Sequence, residues 1–134
     1  TRHIRFTTER PPGPALCEAD RGLLMRALVN LLGNAVKYGR EHTTVDCAIR
    51  PAGPQDRQWL LSIRDHGPGM TAEQQSRLFT PFHRLSPQDR SRPGVGLGLV
   101  FVRTVVERHG GRIDVRSPAG QGTCFEITLA QASE

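Results

Sequence analysis

Aromatic residues are scarce in this chain, with five phenylalanines, one tryptophan and one tyrosine among 134 residues. A surface that stacks single-stranded bases interleaves aromatics with cations, and no such interleaving occurs here. The formal charge of +5 comes from arginines scattered through strands and loops rather than from a basic block, which disfavours a nucleic-acid partner. No apolar run approaches the roughly 20 residues of a membrane span, and Thr1-Arg2-His3 lacks the apolar stretch of a secretory leader. The three cysteines, Cys17, Cys47 and Cys124, lie far apart without Cys-x-x-Cys spacing. Their odd number and spread argue against a zinc site or a disulfide framework. They read as reduced, small core hydrophobes in strand-like runs, and so point to a reducing compartment.

What remains is material for one soluble domain. A chain of 134 residues buries a real core but leaves no room for a second domain of ordinary size. It starts without methionine, directly in a strand-like run, and is expected to be a fragment of a longer protein.

His3 to Thr8 alternates apolar and polar residues and predicts a strand, broken by Pro11-Pro12-Gly13-Pro14. A short extended piece is expected over Ala15 to Glu18. Asp20 then caps a helix running to about Tyr38, with Gly39 as its stop. Leu24, Leu28, Leu31, Leu32 and Ala35 fall on one arc of that helix, its core face. Asn30, Asn34 and Lys37 form a polar stripe beside the arc, either lining a cleft or simply solvated.

Thr44 to Arg50 and Gln58 to Asp65 predict a hairpin of strands, and Thr71-Ala72-Glu73-Gln74 has the form of a capping box opening a short helix that ends near Leu78. The polar, proline-punctuated stretch from Thr80 to Pro93 reads as a mobile loop. Leu97 to His109 predicts a buried helix with a Gly110-Gly111 stop, and Arg112 to Ser117 and Thr123 to Leu129 predict a final pair of strands. Helices interspersed with hairpins favour an α/β sandwich, with a mixed sheet and helices on one face, over a doubly wound sheet.

Three features carry chemistry. Asp65 shares strand parity with Trp59, Leu61 and Ile63, so its carboxylate faces the apolar side just before Gly67 and Gly69 turn the chain. A carboxylate there needs a partner. An amino or amide donor on a ligand would serve, as would a helix end or an arginine. Thr123 shares parity with Phe125, Ile127 and Leu129, so its hydroxyl also ends an inward-facing row. Gly94, Gly96 and Gly98 lead into a buried helix, whose free N–H groups and dipole favour phosphate. Their spacing departs from the lysine-bearing P-loop and from the dinucleotide fingerprint. Asn34 offers a neutral amide oxygen suited to a magnesium ion that already carries phosphate and water ligands, and Lys37 a point charge one turn on.

Taken in order, these motifs resemble the catalytic, ATP-binding domain of sensor histidine kinases, in the GHKL superfamily that includes gyrase, heat-shock-90 and MutL ATPases. Asn30-Leu31-Leu32-Gly33-Asn34-Ala35-Val36-Lys37-Tyr38 looks like the N box and Asp65-His66-Gly67-Pro68-Gly69 like the first glycine box. Leu78-Phe79-Thr80-Pro81-Phe82-His83-Arg84 looks like the F box, Gly94-Val95-Gly96-Leu97-Gly98-Leu99 like the second glycine box, and Gly120-Gln121-Gly122-Thr123 like the closing glycine-threonine turn.

The resemblance implies a two-layer α+β sandwich, in which a mixed, largely antiparallel five-stranded sheet is covered on one face by three helices, with a flexible ATP lid. It implies ATP and Mg²⁺ as cofactors. Asp65 would take the adenine amino group with support from Thr123, and Asn34 would hold the metal. Asn30, Lys37 and Tyr38 would surround the phosphates and sugar. Gly67, Gly69, Phe82, Gly94, Gly96, Leu97 and Gly98 would shape or contact the nucleotide, and Arg84 would face phosphate from the lid. Asn30, Lys37 and Arg84 are the expected catalytic residues.

Relatives that activate water or a serine hydroxyl carry an N-box glutamate. An amide is no general base, so Asn30 fits transfer to a histidine and predicts weak hydrolysis. None of the five histidines has the context of an acceptor. The implied partners are an acceptor-histidine dimerisation domain of the same parent protein and, through it, a response regulator. The fragment itself is expected to be monomeric, cytoplasmic and without membrane contact, within a parent that can be anchored in the inner membrane. The competing readings are an anti-sigma-type serine kinase, which expects glutamate at position 30, and a non-catalytic ATP-binding signalling module.

Overall fold

Alternating apolar positions in the chain become a five-stranded sheet in the order β1-β2-β3-β5-β4. The computed structural model describes residues 5–12, 15–38, 43–76, 78–79, 98–118 and 120–132. The strands are β1 (Arg5–Glu9), β2 (Thr44–Ala52), β3 (Gln58–Arg64), β4 (Arg112–Arg116) and β5 (Cys124–Ala130). β1 runs parallel to β2, and every other pairing is antiparallel. The helices are α1 (Arg21–Tyr38), the short α2 (Ala72–Ser76) and α3 (Gly98–Arg108). This is the mixed, largely antiparallel sandwich expected from the motifs. No described helix is long and apolar enough to cross a membrane.

Local chemistry sets the helix ends. The Asp20 carboxylate accepts the Leu23 N–H at 3.0 Å and caps α1. The expected capping box opens α2, with the Gln74 N–H donating to Thr71 Oγ1 at 3.1 Å and the Thr71 N–H to Gln74 Oε1 at 2.8 Å. After α3 the chain turns left-handed at Gly110 (φ 72°). Its N–H and that of Gly111 return to the carbonyls of Glu107 and Val106 at 3.0 and 2.9 Å, a Schellman stop. The Gly39 stop of α1 and the loop from Thr80 to Pro93 lie outside the described residues.

The core lies between the helices and one sheet face. Ala27, Leu31 and Ala35 of α1 and Val102, Val105 and Val106 of α3 are buried there against Val45, Ile63, Phe125, Ile127 and Leu129. Leu24, Leu28 and Leu32, the rest of the expected arc, pack at its margin. The helices are also joined at their far ends, where the Asp20 N–H donates to His109 Nε2 at 2.9 Å. His109 Nδ1 sits 2.7 Å from the Val105 carbonyl, so the ring proton is on Nδ1 and Nε2 is the acceptor.

Ala15 to Glu18 joins no ladder of the sheet; its Leu16 carbonyl accepts the Ala132 N–H at 2.9 Å and the Trp59 indole N–H at 3.0 Å, tying the segment across strand ends. Of the three free cysteines, Cys17 and Cys47 pack against the core, but Cys124 does not. In register it stands between Arg64 and Arg116 on the sheet face away from the helices, because its parity is opposite to that of buried Phe125. The β2–β3 hairpin is also longer than predicted, since Pro51 and Ala52 still pair with Trp59 and Gln58. Proline is tolerated at such a strand end, where its fixed φ is compatible with extended backbone.

Candidate functional site

Three strands end in an inward-facing polar residue at the same edge of the sheet. β3 pairs Ile63 with Phe125 of β5, which in turn pairs with Val115 of β4. One step beyond that apolar row stand Asp65, Thr123 and Ser117, which are 5%, 7% and 4% exposed. The Asp65 N–H donates to the Thr123 carbonyl at 2.9 Å. The Thr123 N–H returns to Asp65 Oδ1 at 3.3 Å, and the Gly67 N–H reaches the same oxygen at 2.8 Å. Among the described residues nothing donates to Oδ2. Burial pushes the Asp65 carboxyl above its ordinary value, and the two backbone N–H bonds oppose that rise.

Asp65 lines a partly open cavity of about 80 Å³. Met70, Leu78, Leu99 and Phe125 supply its apolar walls, and Asn34, Asp65 and Thr123 its polar groups. A flat heterocycle with one amino edge suits such a slot, since a few polar groups fix orientation between apolar walls.

In the floor two glycine turns touch backbone to backbone. Gly69 (φ 77°) and Gly122 (φ 80°) are both left-handed. A Cβ on Gly122 would lie 2.1 Å from the Asp65 carbonyl oxygen, and one on Gly69 would lie 2.5 Å from that of Pro118. The Gly120 N–H donates to the Pro68 carbonyl at 2.8 Å. Gln75 of α2 donates from Nε2 to the carbonyls of Met70 at 3.2 Å and Ser117 at 3.1 Å. On the outer side, His66 Nε2 lies 2.8 Å from Asp46 Oδ2, fastening the first turn to β2.

The structure thus brings Asn34, Asp65, Gly69 and Thr123 to one cavity, with Gly67 behind it and its N–H engaged by Asp65. Asn30 faces the start of α3. Its Nδ2 donates to the Arg26 carbonyl at 3.0 Å, and a Cβ on Gly98 would lie 3.2 Å from its Oδ1. Lys37 and Tyr38 close α1, with their side chains outside the described residues. Phe82, Arg84, Gly94, Gly96 and Leu97 also fall outside them. Sequence reasoning missed Ser117 and Gln75. Ser117 carried a usable signal, for it shares parity with Ile113 and Val115 just as Thr123 shares it with Phe125. Gln75 carried none.

Among the described residues no group of three or more histidine, cysteine or acidic side chains gathers to hold a metal. Among the lining residues Asn34 supplies a neutral amide oxygen. That set fits Mg²⁺ whose remaining ligands are phosphate and water, and does not fit a metal held by protein alone.

Residues 19–133 match the family described as histidine kinase-, DNA gyrase B- and HSP90-like ATPase. The adaptive-response sensory kinase SasA of Prochlorococcus marinus is 35% identical over 96% of this chain, which spans 33% of that relative. The sensor histidine kinase ZraS of Klebsiella oxytoca is 40% identical over 94% of this chain, which spans 25% of that relative. The chain thus covers a third or less of the length of these two relatives. Among solved structures, a mycobacterial sensor histidine kinase, MprB, superposes with a TM-score of 0.78 at 32% identity, covering 98% of this chain and 84% of the other. Full-length ShkA in complex with AMPPNP gives 0.77 at 30% identity, covering 98% of this chain and 27% of the other.

Proposed function

The chain belongs to the histidine kinase-, DNA gyrase B- and HSP90-like ATPase family, and from that premise and the cavity we propose that it binds Mg-ATP and transfers the γ-phosphoryl group to a histidine on a separate dimerisation domain. The observation that carries this reading is the buried Asp65 carboxylate, which lines an apolar-walled slot and whose Oδ2 accepts no hydrogen bond from the described residues. A buried carboxylate without a full set of donors is unfavourable in the free protein and becomes favourable when a ligand amino group reaches it.

In this reading the adenine lies between Met70, Leu78, Leu99 and Phe125, with its amino group on Asp65 and support from Thr123. The phosphates extend toward Asn34 and the start of α3. Asn34 is the residue that would hold Mg²⁺, which supplies charge neutralisation on the phosphates when bound. Asn30, Lys37 and Tyr38 border the phosphates and sugar, Gly94, Gly96, Leu97 and Gly98 wrap them, Phe82 anchors the lid, and Arg84 adds positive charge. Catalysis is positioning and electrostatic stabilisation, and the amide of Asn30 leaves water unactivated.

The acceptor histidine comes from another domain of the parent protein, whose phosphorylated form serves a response regulator, and the reaction takes place in the cytoplasm. The test is phosphotransfer from labelled Mg-ATP to a supplied histidine-bearing dimerisation domain. The expected product is acid-labile phosphohistidine on that domain and none on this chain. Acid-stable phosphoserine on a partner, or no transfer despite bound nucleotide, would overturn the kinase assignment.

A further inference from the structure

Ser117 ends β4 with a hydroxyl almost wholly removed from solvent, and the functional reading above gives it no task. Among the described residues that hydroxyl has two hydrogen-bond neighbours, the Gly122 carbonyl at 3.1 Å and the Thr123 hydroxyl at 2.7 Å. A carbonyl only accepts, so the bond to Gly122 uses the single proton of Ser117. The Thr123 hydroxyl therefore donates its own proton to Ser117 Oγ. What Thr123 turns toward the cavity is lone pairs alone. The Asp65 carboxylate beside it is also an acceptor, with Oδ1 already engaged by two backbone N–H groups.

We propose that Ser117 is a specificity-determining positioning residue, which holds the Thr123 hydroxyl as an acceptor and so makes the cavity select a purine bearing a 6-amino group over one bearing a 6-oxo group. The inference rests on the nucleotide-binding reading of the same cavity. A 6-oxo purine sets its carbonyl oxygen against two acceptors, with no proton between that oxygen and either of them, an arrangement that polar sites reject. Without Ser117, the Thr123 proton loses its acceptor. It is then free to turn into the cavity and donate to an oxo group.

Mg-ATP and Mg-ITP, which differ at the purine 6-position and in the protonation of N1, are titrated calorimetrically into the wild type, Ser117→Ala, Thr123→Val and the double variant. Thermal melting of each variant checks the fold. The expected result is a wild type that prefers ATP and a Ser117→Ala variant whose ATP/ITP affinity ratio narrows by about fivefold, the size of one net hydrogen bond. In the Thr123→Val background the same serine substitution leaves the ratio unchanged, because its effect passes through the missing hydroxyl. An unchanged ratio in folded Ser117→Ala, or equal narrowing with and without Thr123, overturns the proposal. Should Ser117→Ala fail to fold, Ser117→Cys keeps a weaker acceptor for the Thr123 proton, and an intermediate ratio supports the proposal while a wild-type ratio overturns it. A wild type that binds neither nucleotide defeats the nucleotide reading itself, a result distinct from binding without selectivity.

Discussion

Asp65 and Thr123, 58 residues apart in sequence, are joined twice, through the backbone of Thr123 and both the backbone and side chain of Asp65. The Asp65 N–H donates to the Thr123 carbonyl at 2.9 Å, and the Asp65 carboxylate accepts the Thr123 N–H at 3.3 Å. This pairing continues the β3–β5 ladder by one residue and converts its apolar inner row into a polar floor. The ladder therefore positions the carboxylate, and the glycine turns leave it room.

Burial raises the Asp65 carboxyl above its ordinary value of 3.8. A group whose folded pKa is raised favours the folded state below its unfolded pKa, and that contribution is lost as pH rises through the folded value. At neutral pH the wild type thus carries a buried charge that Asp65→Asn lacks, while the asparagine oxygen still accepts both N–H groups. Thermal melts should show Asp65→Asn at least as stable as the wild type at neutral pH, with the advantage gone below the ordinary carboxylate range.

The same shift sets a pH dependence of binding. Protonated Asp65 becomes a donor facing the ligand's amino group, so Mg-ATP affinity should fall as acid titrates the site. The midpoint should lie above the ordinary carboxylate value. Calorimetric titration across the acid range checks this against Asp65→Asn, whose affinity should not follow that transition.

Glycines of the two motif regions should respond in opposite ways to alanine. Gly122→Ala forces a Cβ to within 2.1 Å of the Asp65 carbonyl oxygen at a φ of 80°, and should lower stability by more than about 2 kcal/mol. Gly33 sits mid-helix with nothing within 4 Å of the position a Cβ would take, so Gly33→Ala should raise stability by about 0.5–1 kcal/mol through helix propensity. Urea unfolding of both variants gives the comparison.

His109 links the end of α3 to the start of α1 through the Asp20 N–H. His109→Ala leaves that donor without its partner and should lower stability by about 1 kcal/mol. His109→Gln, whose amide oxygen stands near the position of Nε2, should recover most of the loss. Chemical denaturation of the two variants distinguishes the acceptor role from simple packing.

Strand parity makes the floor of the cavity legible in the sequence, because alternation along Trp59, Leu61 and Ile63 fixes where Asp65 points, and Phe125, Ile127 and Leu129 do the same for Thr123. Ser117 obeys the same rule, although its place at the end of a strand hides it. Cys124 shows the rule from the other side: one step from Phe125 in register, it faces away from the helices, so a cysteine in an apolar-looking run is not core by composition alone. The meeting of Asn30 with Gly98 and of Gln75 with Ser117 is not legible. Such contacts depend on how α1, α2 and α3 pack in space, which no local period encodes. The same holds for Leu16, whose single carbonyl serves both Trp59 and Ala132.

The most direct test of the Asp65–adenine contact is calorimetric titration of a magnesium-bound, unhydrolysable ATP analogue into the wild type and Asp65→Asn, with melting curves to establish that both are folded. The wild type should bind, and Asp65→Asn should bind at least about tenfold more weakly, the effect of replacing a charge-assisted acceptor with an amide that can present a donor. Equal affinities in two folded proteins would contradict the contact and the nucleotide site built on it.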